Sequence, residues 1–152
     1  KYTLIVFLTT KKFSTVFIGI ETPDTDSLKL TLKHQNNRTP MNESLEKIAK
    51  SGLRIMAGFI IGFDDEKKGA GQRVFDFATE NAIPGVTFSM LQALPGTALW
   101  DRLKVSDRLL DDANLNQTTL LNFVPTRPIE DIAEEYVDAF WKLYDPKNRL
   151  RL

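Results

Sequence analysis

The chain has 152 residues, 42% of them apolar and 26% charged, which suits one domain with a real core and excludes an intrinsically disordered segment. Twenty basic residues balance twenty acidic ones and no apolar run reaches bilayer-spanning length, so neither nucleic acid nor a membrane span is expected. Without a cysteine and with a single histidine, disulfides are excluded and a zinc or copper site lacks its usual ligands.

In chain order, Tyr2 to Thr10 is rich in Leu, Ile, Val, Phe and Thr, which predicts a strand, broken by Lys11 and Lys12. Ser14 to Glu21 is the first clear strand, with a near-continuous apolar run fit for burial on both faces. Pro23 and Asp24 turn the chain into a short helix over Thr25 to His34, and Gln35 to Thr39 reads as a polar loop. Pro40 at a first helical position opens a helix to Ser51, stopped by Gly52. A second strand spans Leu53 to Phe63. The charged, then glycine-rich stretch from Asp64 to Gly71 leads to a helix over Gln72 to Asn81. Pro84 and Gly85 break it, and a third strand runs from Val86 to Leu94. Thr97 starts a short helix through Trp100 and Leu103. Asp107 to Asn116 reads as irregular, and Thr119 to Val124 as a strand or an extended strap. Pro128 opens an amphipathic helix to Tyr144, with Ile129, Ile132, Ala133, Tyr136, Phe140 and Leu143 on its apolar stripe. The alternation predicts an α/β fold with parallel strands joined by right-handed crossovers.

Ligands of such folds gather at the C-terminal ends of the strands. Glu21 stands there, either accepting hydrogen bonds from a ligand or pairing with a nearby lysine. Gly58 and Gly62 allow a flat ligand, or a neighbouring helix, to come close to the second strand. Gly69–Ala70–Gly71 precedes a helix whose amides attract anions, yet it is neither a dinucleotide fingerprint nor a P-loop, and a simple turn suits it better. Arg38, among Gln35, Asn36 and Asn37, either clamps a carboxylate or is a solvated loop residue. Trp100, Trp141 and most phenylalanines read as core.

Three segments recur in order: Gly19–Ile20–Glu21–Thr22, Phe59–Ile60–Ile61–Gly62–Phe63–Asp64 and Leu94–Pro95–Gly96–Thr97. Together they resemble the later part of the radical S-adenosylmethionine (radical SAM) domain, over about Val16 to Leu103. The tail, with Asn116–Gln117–Thr118–Thr119, Pro125–Thr126–Arg127–Pro128 and the amphipathic helix, resembles the C-terminal extension of a branch in which a cobalamin-binding domain precedes the barrel. Hopanoid methylases are relatives of that kind.

The resemblance implies a partial parallel β/α barrel over residues 1–104, the second half of a radical SAM barrel. Residues 1–13 form a divergent or non-native start, where a helix would ordinarily stand. A C-terminal extension over residues 105–152 carries the helix 128–144. It further implies that S-adenosylmethionine (SAM) binds at the strand ends, with Glu21 near the ribose or amino acid moiety and Gln35 or Arg38 near its polar groups. Ile60, Ile61 and Gly62 would lie along the adenine, and Leu94 and Pro95 would close that side. The family's cluster loop, CxxxCxxC, has no counterpart here, so a [4Fe–4S] cluster and cobalamin are expected only in a longer parent protein.

The chain is therefore expected to be a fragment that is inactive by itself, working on a small-molecule substrate only with a missing N-terminal barrel half, or self-associating through exposed strand edges. The start at Lys1 and the absence of a signal-peptide pattern fit a cytoplasmic piece. A non-catalytic half-barrel and an unrelated small-molecule-binding α/β domain are the alternatives.

Overall fold

The computed structural model describes residues 2–24, 41–110 and 121–149. Its elements are helix α1 (Tyr2–Thr10), strand β1 (Thr15–Glu21), α2 (Met41–Lys50), β2 (Arg54–Ile61), α3 (Ala70–Glu80), β3 (Gly85–Met90), α4 (Ala98–Val105), α5 (Ile129–Tyr144) and a short α6 (Pro146–Arg149). The three strands form one parallel sheet in the order β1-β2-β3, with Gly19 opposite Gly58 and Phe59 opposite Phe88. This is the α/β architecture expected from the alternating pattern. The helix expected over Thr25 to His34 lies outside the described residues.

The segment Tyr2–Thr10 is a helix, not the strand its composition suggests. A short run of apolar residues fits either state, and strand propensity is the weaker guide. The Thr9 and Thr10 hydroxyls donate to the carbonyls of Ile5 (3.0 Å) and Val6 (2.7 Å), so both polar side chains are satisfied within the helix. Strand β3 is shorter than Val86 to Leu94. After Met90 the chain leaves the sheet, although the Leu91 amide still donates to the Ile61 carbonyl.

Side chains alternate across the sheet. One face, carrying Ile20, Ile55, Ala57, Phe59, Ile61 and Phe88, is buried against the helices. The Phe88 ring stacks on Tyr136 of α5 with centroids 5.0 Å apart. Helices α3 and α5 approach so closely that a Cβ on Gly71 would overlap the Glu135 carbonyl oxygen. The other face holds Phe17, Met56, Gly58, Thr87 and Ser89 and is open to solvent, with Phe17 60% and Met56 40% exposed. Trp141 corrects the core expectation: it is 68% exposed, because α5 turns Ile132, Ala139 and Leu143 inward and leaves Trp141 on its outer side. Among the described residues, no helix is long and apolar enough to cross a membrane.

Candidate functional site

Parallel pairing brings the C-terminal ends of β1, β2 and β3 to one edge of the sheet. Glu21 stands at the end of β1, beyond a break in register between Gly19 and Glu21, and holds a positive φ of 70°. A left-handed backbone at a non-glycine residue is a strained choice of the kind that collects at functional sites. Ile60 lies half-buried on the open face of β2, beside Ser89 of β3. Leu94 is half exposed and Pro95 exposed in the loop after β3. Ile61 points its side chain into the core, at 1% exposure, so it presents only backbone at this edge. Glu21, Ile60, Leu94 and Pro95 thus lie at or just beyond the C-terminal ends of their strands, while Gln35 and Arg38 lie outside the described residues.

Gly62 closes β2 with φ +97°, and a Cβ there would come within 2.8 Å of Leu121. Its amide donates to Glu66 Oε2 at 2.8 Å. Glu66 is 2% exposed, and burial pushes its carboxyl up to about 7 against the opposing pull of the Gly62 amide and the Arg127 guanidinium. Glu66 Oε1 is buried with no hydrogen-bond partner. Arg127 lies 3.7 Å from Glu66 Oε2 and donates to Glu135 Oε1 at 2.6 Å. Glu135 in turn accepts from the amides of Gly69 (2.8 Å) and Ala70 (3.0 Å). The anion drawn to the start of α3 is therefore the chain's own carboxylate, which accounts for the glycine-rich turn.

A strap over residues 121–127 ties these loops together. Asn122, buried, holds Ala93 from both sides: its Oδ1 accepts the Ala93 amide (2.8 Å) and its Nδ2 donates to the Ala93 carbonyl (2.9 Å). Phe123 forms an antiparallel bridge with Leu109. Arg108 donates to both oxygens of Asp64, at 3.0 and 2.7 Å, and those hydrogen bonds raise its own pKa further. Sequence reasoning expected a strand or an extended strap over Thr119 to Val124 but missed every one of these pairings. The signals available were a lone Asn before Phe123 and the position of Arg127 ahead of an acidic helix start, and neither reveals its partner.

The C-terminal edge is thus a mouth with an open sheet face on one side and a strap bound across the loops after β2 and β3. That defines the class: an α/β unit with a three-strand parallel sheet and helices. Residues 97–151 match a family model described as a domain of unknown function, DUF4070. The chain is 64% identical over 140 residues to an uncharacterized methyltransferase, sll1242, of Synechocystis sp., and 34% identical over 139 residues to the hopanoid C-2 methylase of Rhodopseudomonas palustris. Each match covers 91% of this chain and 26% of the relative. The bacteriochlorophyllide d C-12(1)-methyltransferase of Chlorobaculum tepidum is 32% identical over 94 residues, covering 62% of this chain and 21% of the relative. The chain therefore spans about a quarter of the length of the curated relatives it matches. The relatives are methyltransferases by name, in line with the methylase branch that the sequence motifs resemble.

Proposed function

We propose that the chain forms the carboxyl-terminal part of the barrel of a radical SAM methylase, in which it binds SAM at the strand ends and helps shape the pocket for a substrate carbon. The observation that carries the reading is the pairing of an open sheet face with a mouth holding Glu21, Ile60, Leu94 and Pro95, in a chain whose relatives are named for methylation at particular carbons. A half-buried apolar surface with one carboxylate at its rim suits an adenine ring and the hydroxyls or ammonium attached to it.

SAM, when bound, supplies the transferable methyl group and a cleavable carbon–sulfur bond. Glu21 accepts hydrogen bonds from the cofactor's polar end, Ile60 packs along the base, and Leu94 with Pro95 limits water on that side. The residues present do not fit an iron–sulfur cluster, whose ligands are thiolates, because the chain has no cysteine. Cluster and cobalamin belong, in this reading, to the remainder of a longer protein. Neither is assigned a step on these residues.

Calorimetric titration of the purified chain with SAM, alongside Glu21→Ala, tests this. Saturable binding that weakens at least tenfold in the variant is expected. A folded chain that gives no heat with SAM would reduce the reading to a non-catalytic half-barrel.

A further inference from the structure

Strand β1 ends in a turn of an uncommon kind. The Thr22 amide donates to the Ile20 carbonyl at 3.0 Å, closing a three-residue turn with Glu21 at its centre and a φ of 70° there. A three-residue turn of that hand is strained, and a non-glycine residue persists in it only when its surroundings hold it. The residues that follow continue the tie. Thr22 is buried at 3% exposure, and its hydroxyl oxygen accepts the Asp24 amide at 3.1 Å. Residues 20–24 thus form one compact unit that ends in the Asp24 carboxylate.

That carboxylate lies 3.6 Å from the guanidinium of Arg73, in the first turn of α3. Arg73 is already fixed by other bonds. Its Nη1 donates to the Lys68 carbonyl and its Nη2 to the Lys67 carbonyl, both at 2.8 Å. The Lys67 carbonyl also accepts from Arg127 Nη1 at 3.2 Å, and Arg127 is anchored on Glu135 of α5. The loop after β2 is therefore a held base, and the guanidinium on it is immobilised whether or not Asp24 is present. An ion pair near the surface is ordinarily weak, in part because two mobile side chains must be ordered to make it. Here one of the two is ordered beforehand, and the Asp24 and Arg73 side chains are only 17% and 34% exposed.

We propose that Asp24 and Arg73 are positioning residues for Glu21. Their ion pair pins the turn after β1 to the loop after β2 and so holds Glu21 in its left-handed conformation at the C-terminal edge of the sheet. Neither is given a contact with the cofactor; both act through Glu21. A residue set in place before a ligand arrives spares binding the cost of ordering it. The consequence for affinity rests on the SAM reading of Glu21 above. The hold on the turn does not, because it is read without any ligand.

Amide exchange followed by NMR in the ligand-free chain, with Asp24→Asn and Arg73→Gln, measures that hold. The Thr22 amide is expected to exchange about fivefold faster in both variants, with the Phe77 and Ala78 amides of α3 unchanged. No change at Thr22 would overturn the proposal. So would an equal rise at Thr22 and in α3, since the pair then serves the fold at large. Calorimetry with SAM completes a cycle with Glu21→Ala. Asp24→Asn should weaken SAM binding about fivefold in the parent chain and leave the affinity of the Glu21→Ala variant unchanged. An equal loss in both backgrounds would mean that Asp24 acts other than through Glu21, and would likewise overturn the proposal. A parent chain that gives no heat with SAM removes the SAM reading, and the Thr22 exchange alone then decides whether the pair holds Glu21.

Discussion

At the scale of single residues, the buried acid is the most informative group. Glu66 keeps its proton in the folded chain up to about 7, whereas an unfolded carboxyl releases it near 4.5. Between those values the folded state binds more protons than the unfolded one, so rising pH removes stability. The contribution is complete below the usual carboxylate range and is lost as pH passes through about 7, amounting to about 3 kcal/mol over the interval. Glu66→Gln keeps an acceptor for the Gly62 amide and cannot ionise. Urea unfolding at pH 5 and pH 8 should show the two proteins similar at the lower pH and the variant more stable at the higher. A constant difference between them at both values would rule out Glu66 as the titrating group. Arg127 stays anchored in the variant, because its shorter contact is to Glu135.

At the scale of elements, the strap over residues 121–127 decides how the loops after β2 and β3 are held. Leu121 fills the space above Gly62 that a side chain there would need, and Asn122 satisfies both backbone groups of the fully buried Ala93. Asn122→Ala leaves an amide and a carbonyl buried without partners, at a cost of about 3 kcal/mol. Denaturant titration should register that loss, while Val124→Ala, at an exposed neighbouring position, should change stability by less than about 0.5 kcal/mol. If the two variants prove equal, the strap is not fastened through Asn122. The ends of α3 follow the same logic. Its first amides are met by Glu135 of α5, so the helix begins at Ala70, two residues before the expected Gln72.

At the scale of the molecule, helices bury one face of the sheet while Phe17 and Met56 stay exposed on the other, and among the described residues Tyr136 and Tyr144 bond to the β3 edge while nothing bonds to the outer edge of β1. Such a body is suited to completion by more strands, and the proposed SAM site, bounded by three strands, excludes little water. The isolated chain is therefore expected to form no 5′-deoxyadenosine from SAM under reducing conditions, even after incubation with iron and sulfide. Chromatographic detection of cluster-dependent product from this chain by itself would overturn that expectation and the fragment reading with it.

The sequence by itself determined the alternation of strands and helices from Thr15 onward, the strand end at Glu21 and the helix over residues 129–144, because hydrophobic period, proline and glycine act over a few neighbours; it carried the second strand to Phe63, two residues past its end at Ile61. It also determined that no thiolate is present to hold a cluster. It misassigned Tyr2–Thr10, where composition favours a strand and a short apolar run gives no period to correct it. It was silent on the burial of Glu66 and on the partners of Asn122 and Arg127, which lie across the fold: Arg127 is sixty-one residues from Glu66 and Asn122 is twenty-nine from Ala93. Only the tertiary structure decided that Ile61 faces the core, that Glu135 occupies the start of α3, and that two tyrosines close one edge of the sheet. Those outcomes depend on which surfaces meet after the chain has folded, and no local pattern encodes that.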